Sequence, residues 1–188
     1  MVNLKMNTFH WHLTNDPGWR IEVKKYPLLT EIGSKRDSSQ VNDHGKKWES
    51  KISDGVPHGG FYTQDEIREI VAYANKLNIE IIPEITMPGH TSAAIASYPW
   101  LGSVKKPIKV PSVFAGHRVL YNVANPMVIK FIQDVLQEVS ELFPANIIHI
   151  GGDEVKFDQW KGNKEIMNYM NKHQLENYLD LQVHFTNN

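Results

Sequence analysis

Three apolar stretches of the chain have the pattern of buried strands. Residues 4–13 alternate large apolar side chains with His10 and His12, a period of two that places both histidines on one face. Residues 79–85 and 147–150 are nearly continuous apolar runs, as is typical of parallel strands that are buried on both faces. The pattern therefore predicts three strands of one parallel sheet.

Apolar residues at helical spacing fill the segments between and after these strands. Thr63–Glu66 has the form of a capping box, which marks a helix start, and Pro144 ends the helix that begins at Asn125 and Pro126. Strand and helix alternate, an order that predicts parallel βα units. The predicted helices span residues 64–77, 125–143, 163–173 and 175–187, with a short one over 91–97.

Long polar segments follow the first two strands. Residues 14–60 begin with the turn signal Asn15–Gly18 and then show no clear period, and residues 99–124 are predicted to form a second loop. Long loops inside a compact domain usually carry function.

Seven polar residues lie at or just after the ends of the predicted strands. The carboxyl ends of parallel strands meet at one edge of a sheet, where active sites are built, so we expect these residues on one rim. They are His10, His12, Asp16, Glu84, His90, Asp153 and Glu154.

Asp153 and Glu154 directly follow the third strand and the two glycines Gly151 and Gly152. One interpretation is a helix N-terminus, where the helix dipole favours negative charge. The other is an active site, since two carboxylates at the end of a buried strand are costly without a purpose. The residues alone leave both open.

Composition narrows the class of protein. The chain has 188 residues, 41% of them hydrophobic and 22% charged, with a net charge of −1. This is a globular composition, and its charge balance favours neither nucleic acid nor an anionic membrane surface as a partner. The absence of cysteine excludes disulfide and thiolate chemistry. No apolar run reaches the roughly 20 residues of a membrane helix, and the N-terminus lacks the apolar core of a signal peptide.

Three motifs resemble glycoside hydrolase family 20, the β-N-acetylhexosaminidases. They occur in the family's order, with helices of the right kind between them, so the resemblance covers essentially the whole chain. The motifs are HWHLTNDPGWR at residues 10–20, PEITMPGH at 83–90 and HIGGDE at 149–154.

The resemblance implies an α/β fold, part of a (β/α)₈ TIM barrel with about three βα units. A complete barrel takes roughly 250 residues, and the resemblance implies that the three strands are its second to fourth. We therefore expect residues 1–188 to be a partial catalytic domain, with the N- and C-terminal parts of the barrel missing. Exposed barrel edges would favour self-association.

The resemblance also implies a reaction: hydrolysis of terminal non-reducing β-linked N-acetylhexosamine from glycans, with retention of configuration. A protein nucleophile would require two carboxyls about 5 Å apart on opposite sides of the anomeric carbon, whereas neighbouring residues approach from one side. In the family the acetamido group of the substrate attacks instead. Glu154 would be the general acid and base, Asp153 would orient the acetamido group, and His90 would tune Glu154 through a carboxylate. Neither a metal nor a cofactor is implied.

One position departs from the family pattern. The family often has two acidic residues after His-Leu-Thr, and here the first of them is Asn15 while Asp16 keeps the second carboxylate. If the pair with His90 uses the first position, Asn15 could hold its geometry but could not stabilise a charge on the imidazole, and the tuning of Glu154 would be lost. Five further residues are predicted either to bind substrate or to contact the residues that bind it. They are Asn15, His12, His149, Glu84 and Trp19.

The sequence leaves two alternative functions open. A His-x-His pair on a strand is also found in metal-dependent amidohydrolase barrels, in which His10 and His12 would join His90, His149 and Asp153 around a divalent ion. The second alternative is a barrel fragment without activity of its own. The resemblance implies a periplasmic, secreted or lysosomal parent protein, and it fits N-acetylglucosamine and N-acetylgalactosamine equally.

Overall fold

The structure is a computed structural model that describes residues 1–41, 50–114 and 118–188. Its strands are β1 (Thr8–His12), β2 (Thr14–Asn15), β3 (Gly18–Trp19), β4 (Lys35–Arg36), β5 (His58–Gly59) and β6 (Glu80–Glu84). Its α-helices are α1 (Leu28–Glu31), α2 (Gln64–Lys76), α3 (Ser92–Ser97), α4 (Pro126–Leu142), α5 (Lys164–Lys172) and α6 (Tyr178–Asn187). Short 3₁₀ helices span Val2–Leu4, Pro99–Leu101 and Phe157–Gln159.

Strands β1 and β6 are parallel neighbours, as the apolar pattern predicts. Their register pairs Thr8 with Glu80 and His12 with Glu84. The predicted first strand is shorter than expected at its start, because residues 2–4 form a 3₁₀ turn and Lys5 adopts a positive φ of 55°. A positive φ is incompatible with an extended strand.

The predicted third strand pairs with the other side of β6 but forms only one residue of regular sheet. Glu84 and His149 make a parallel bridge. Backbone N–H groups of His149, Ile85 and Met87 donate to Pro83, His149 and Ile150, each over 2.9 Å. The extended backbone ends at Gly151, whose φ is 69°. The three extended segments therefore lie in the order β1, β6, residues 147–150, all parallel.

The helices follow the sequence pattern closely. Thr63 and Glu66 form the predicted capping box of α2, which ends one residue earlier than expected. The side chain of Asn125 caps α4, and α4 ends at Leu142 just before Pro144. α2 contacts β6 and α4, so its apolar face is covered. The predicted helices over 91–97, 163–173 and 175–187 are present as α3, α5 and α6, which are shorter by one, two and three terminal residues, respectively.

The long segments predicted as loops contain short structures that the pattern did not show. Residues 14–60 include the β2–β3 hairpin, α1 and the strand pair β4–β5, and residues 99–124 include a 3₁₀ turn. Residues 42–49 and 115–117 of these predicted loops lie outside the described residues. Across the helices of the described ranges, none combines the length and the apolar character needed to cross a membrane.

The side chain of Phe131 on α4 is the centre of an aromatic group within the core. Phe131 is 1% exposed, and its ring lies 4.6 Å from that of Tyr26 and 6.1 Å from those of Trp100 and Tyr121, all centroid to centroid. Edge-to-face pairs of this kind add to the free energy gained by burial.

We predict that Phe131→Ala lowers the free energy of unfolding by about 3–5 kcal/mol, because it removes a buried ring and leaves a cavity. The matched control is Met127→Ala on the same helix, since Met127 is 65% exposed and its truncation should change stability by less than about 0.5 kcal/mol. Urea denaturation followed by circular dichroism measures both. Equal effects of the two variants would contradict this account of the core.

Candidate active site

The first, second and third motifs of the sequence meet at the carboxyl ends of the three parallel segments. Asp16 lies in the turn between β2 and β3, in the hairpin that follows β1. His90 lies between β6 and α3, and Asp153 and Glu154 follow the segment 147–150. The parallel register therefore brings together residues that are far apart in the chain.

Buried Asp16 and partly buried His90 form a hydrogen-bonded pair. Oδ2 of Asp16 lies 3.0 Å from Nδ1 of His90, and Asp16 is 4% exposed. The other carboxylate oxygen, Oδ1, accepts hydrogen bonds from the backbone N–H of Ser92 over 3.0 Å and from the Ser92 hydroxyl. A buried carboxylate is tolerated only when it is hydrogen-bonded in this way, and the pairing makes Nδ1 of His90 the protonated ring nitrogen.

The other ring nitrogen of His90 faces the adjacent carboxylates. Nε2 lies 3.7 Å from Oδ2 of Asp153 and 3.8 Å from Oε2 of Glu154. The side chains of Asp153 and Glu154 are 68% and 75% exposed, respectively. The imidazole thus stands between one buried carboxylate and two carboxylates that are open to a ligand.

This environment raises the pKa of His90. The hydrogen bond to Asp16 is the largest cause, partial burial opposes it, and the negative charges of Asp16, Asp153 and Glu154 add to it. Opposite charges nearby favour the protonated imidazole. His90 is therefore protonated at higher pH than an ordinary histidine.

Backbone conformation at the site is unusual for non-glycine residues. His90 and Glu154 have φ values of 54° and 52°, in the left-handed region that costs energy for residues with a Cβ. Such residues cluster at active sites, where the surrounding structure holds them. Gly151 is required on steric grounds, since a Cβ there would lie 2.6 Å from Cγ2 of Thr86.

The geometry decides which residue of the first motif partners His90. The side chain of Asn15 bonds to the neighbouring backbone: its Oδ1 accepts a hydrogen bond from the N–H of Asp16 over 2.6 Å. Asn15 therefore shapes the turn, as Asn commonly does, and Asp16 supplies the carboxylate. The asparagine in place of an acidic residue leaves this pair intact.

A second polar cluster surrounds the buried carboxylate of Glu84. Glu84 is 4% exposed, and its Oε2 lies 2.6 Å from Nε2 of His10 and 3.3 Å from Nδ1 of His149. Its Oε1 accepts a hydrogen bond from the hydroxyl of Thr86 over 3.1 Å, and Nε2 of His12 lies 2.9 Å from that hydroxyl. The cluster links all three parallel segments.

The donor atoms of this cluster do not have the spacing of a zinc site. Within the described residues, ligand atoms of His10, Glu84 and His149 lie within 4.8 Å of one another. His12, His90 and Asp153 do not belong to this group, so the ligands predicted for an amidohydrolase-type ion are not assembled. Tetrahedral zinc, with ligands at about 2.0–2.1 Å, separates them by roughly 3.3 Å. The 2.6 Å between His10 and Glu84 is instead a hydrogen-bond distance, and the Gly151 N–H occupies Nδ1 of His149 over 3.1 Å. The contacts are those of a hydrogen-bond network.

Trp19 is the predicted site residue that the structure places apart from the carboxylates. It is 2% exposed, and its indole N–H donates to the carbonyl of Ile21 over 2.7 Å. Its ring therefore packs in the core below the hairpin that carries Asp16.

Sequence reasoning missed two residues that contact the site. Ser92 binds Asp16, and its position two residues after His90 at a helix start was an available signal. Gln182 of α6 donates to the carbonyl of Gly152 over 2.7 Å. Nothing in the sequence marks Gln182, because it lies on a helix 30 residues further along.

Comparison with known proteins identifies the family. The model of the glycosyl hydrolase family 20 catalytic domain matches residues 1–188. The chain belongs to this family. It is 42% identical over 185 residues to a beta-hexosaminidase of Porphyromonas gingivalis and 40% identical over 185 residues to one of Vibrio furnissii. The alignments cover 98% of this chain but 22% and 30% of those two proteins.

Solved structures share the fold. One, described as a beta-N-acetylhexosaminidase, matches with a TM-score of 0.89 and 33% identity, over 98% of this chain and 37% of that one. An exo beta-N-acetylglucosaminidase from Vibrio harveyi, in complex with N-acetylglucosamine, matches with a TM-score of 0.76 and 38% identity, over 98% of this chain and 28% of that one. The predicted fold class, parallel strands from part of a TIM barrel, is confirmed.

We predict that Asp16→Asn lowers the pKa of His90, because it removes the largest cause of the raised value. Titration of the His90 ring by NMR measures the shift. Because the folded-state pKa of His90 is raised above its ordinary 6.5, its stabilising contribution is complete below that value and is lost as pH rises through the folded pKa. Asp16→Asn should therefore cost more stability at about pH 5.5 than at about pH 9.

The matched control is Asp158→Asn, which removes an exposed carboxylate paired with Arg118 at 2.8 Å. It should leave the His90 titration unchanged. An unshifted His90 pKa in Asp16→Asn would contradict the assignment of Asp16 as its partner.

Proposed function

We propose that this chain carries the catalytic acid and its partners in a β-N-acetylhexosaminidase. The reaction is hydrolysis of terminal non-reducing β-linked N-acetylglucosamine or N-acetylgalactosamine from glycans. The observation that carries the proposal is the position of His90, hydrogen-bonded to buried Asp16 and facing Asp153 and Glu154 within 3.8 Å. The names of the relatives and the N-acetylglucosamine complex of the Vibrio harveyi enzyme support the substrate class.

The placement of the two carboxylates supports a substrate-assisted, retaining mechanism. Oxygens of Asp153 and Glu154 lie 3.7 and 3.8 Å from the same nitrogen of His90, so both approach a sugar from one side. A retaining enzyme with a protein nucleophile places its carboxyls on opposite sides of the anomeric carbon. The nucleophile in this proposal is therefore the acetamido oxygen of the substrate.

In the first step Glu154 donates its proton to the glycosidic oxygen as the bond to the anomeric carbon breaks. The acetamido oxygen forms a new bond to that carbon, which gives an oxazolinium ion and releases the aglycone as an alcohol. Asp153 accepts a hydrogen bond from the acetamido N–H and stabilises its positive charge. Glu154 then removes a proton from water, whose oxygen attacks the anomeric carbon and restores the acetamido group with retained configuration.

His90 balances charge during these steps. After Glu154 has given up its proton, two carboxylates lie side by side and repel each other. The raised pKa of His90 favours a positive charge next to them, and Asp16 holds the ring in place. A group fixed before the reaction stabilises charge without the cost of reorganisation.

The Glu84 cluster is proposed to support the site. His10 and His12 tie the ends of β1 and β6 together through Glu84 and the Thr86 hydroxyl. His149 orients the loop of the catalytic pair by accepting a hydrogen bond from the Gly151 N–H. Asn15 and Trp19 are proposed to stabilise the hairpin that presents Asp16, Asn15 through its turn and Trp19 through the core.

The chain spans 22% and 30% of the two curated relatives described above. We propose that residues 1–188 are a partial catalytic domain whose pocket is completed by further parts of the barrel. A second candidate, favoured by this coverage, is a chain without activity of its own.

We predict that, in the complete enzyme, Glu154→Gln reduces hydrolysis of a substrate with a poor leaving group, such as a chitooligosaccharide, by about 10²–10⁴-fold, the usual contribution of a general acid. Hydrolysis of an activated aryl N-acetyl-β-glucosaminide should fall less, because its leaving group needs little protonation. Asp153→Asn should lower kcat and leave the fold unchanged, because it removes charge but little volume.

The control for both variants is Glu69→Gln, which changes an exposed carboxyl on α2 and should retain full activity. Initial rates with the two substrate types give the comparison. Equal losses on both substrates in Glu154→Gln would argue against Glu154 as the acid.

We also predict that the isolated chain self-associates. In the described residues β1 pairs with β6 alone, and an open strand edge promotes pairing with another chain. Light scattering measures the oligomeric state, and an assay with a chromogenic β-N-acetylglucosaminide on the same sample measures hydrolysis. A monodisperse and active monomer would refute the need for further barrel segments.

A further inference from the structure

The loop that carries the proposed catalytic pair has an irregular backbone. Gly151, Gly152 and Glu154 have φ values of 69°, 103° and 52°, so the loop cannot continue the hydrogen-bond ladder of the sheet. The last ladder bond before it joins the N–H of Met87 to the carbonyl of Ile150. Other contacts must therefore fix where the two carboxylates point.

Two side-chain hydrogen bonds reach the backbone of this loop within the described ranges. His149 accepts one from the Gly151 N–H over 3.1 Å, and His149 belongs to the same strand end. Gln182 donates the other, from Nε2 to the carbonyl of Gly152 over 2.7 Å. A carbonyl only accepts hydrogen bonds, so the Gln182 amide must turn its NH₂ group towards the loop.

Helix α6 presents Gln182 from a well-packed position. The neighbouring residue Leu181 is 0% exposed. The ring of Tyr178 stacks on Phe157 with centroids 5.9 Å apart, and Phe157 stacks on Trp160 at 5.5 Å. Phe157 lies shortly after the catalytic pair, so α6 packs against the segment that leaves the loop as well as bonding to the loop itself.

We propose that Gln182 is a positioning residue that sets the orientation of Asp153 and Glu154. The inference rests on the proposed function of these two residues. The carbonyl of Gly152 and the N–H of Asp153 belong to one planar peptide unit, so the hydrogen bond to the carbonyl also fixes the direction in which Asp153 leaves the loop.

Loss of this hydrogen bond lets the peptide rotate and moves both carboxylates relative to His90. A misplacement of about 1 Å can cost roughly 100-fold in rate, even when its origin lies outside the reacting groups. Because Gln182 bonds to the backbone behind the pair, the loss should appear in kcat far more than in KM.

The test compares Gln182→Leu with Gln137→Leu in the purified protein. Gln137 on α4 is a matched control, because its amide also donates from a helix, to the exposed Glu141 over 2.8 Å. Gln182→Leu should lower kcat on an aryl N-acetyl-β-glucosaminide by about 10–100-fold with KM changed less than about threefold. Gln137→Leu should behave as wild type. Equal kinetics for the two variants would overturn the proposal.

The variant Gln182→Glu adds a readout that a purely structural role would not move. The substituted carboxyl can donate to the Gly152 carbonyl only when it is protonated. The activity of this variant relative to wild type should therefore rise as the pH falls from about 7 to about 4.5, across the usual range of glutamate titration. A ratio that does not change with pH would count against the hydrogen bond as the cause. This variant also serves if Gln182→Leu fails to fold.

Hydrogen exchange separates this proposal from the proposed function. Backbone amides of residues 151–155 should exchange faster in Gln182→Leu than in wild type and in Gln137→Leu, while those of α2 stay unchanged. This measurement needs no activity, so it tests the role of Gln182 even in an inactive isolated chain, and its outcome does not depend on the proposed function. Unchanged exchange in the loop would overturn the positioning role.

Discussion

The hydrogen bond between Asp16 and His90 is the interaction on which the candidate site depends. It joins the turn after β1 to the loop after β6, across 74 residues of chain. Asp16 can be buried because His90 and Ser92 satisfy its oxygens. The register of β1 and β6, with His12 opposite Glu84, puts the two partners within reach, and a slip by one residue would turn every side chain of a strand to the other face.

The polar residues at the strand ends form two groups with different tasks. The first contains Asp16, His90, Asp153 and Glu154, and its last two members are open to a ligand. The second is centred on the buried carboxylate of Glu84, which lies within 3.3 Å of histidines from β1 and the third segment. Gly151 links the two groups, because a side chain there would collide with Thr86 and Glu84.

Periodicity predicted the elements that have one strongly apolar face. The capping box of α2 and the capped, apolar helix α4 appear close to their predicted bounds, since local sequence determines both the cap and the buried face. The segment 147–150 is only a bridge with flanking hydrogen bonds, and Gly151 and Gly152, which have positive φ, end it. The short strands β2 to β5 have no period to detect, since each covers two residues.

By itself the sequence determined the alternation of strand and helix, the motifs of the family and the polar residues at the strand ends. These follow from local spacing and from residue identity. The tertiary structure alone decided that Asp16 rather than Asn15 binds His90, that Trp19 packs in the core, and that Gln182 holds the Gly152 carbonyl. Such contacts depend on side-chain direction and on packing between segments that are distant in the chain. The order of residues along the sequence does not specify either of them.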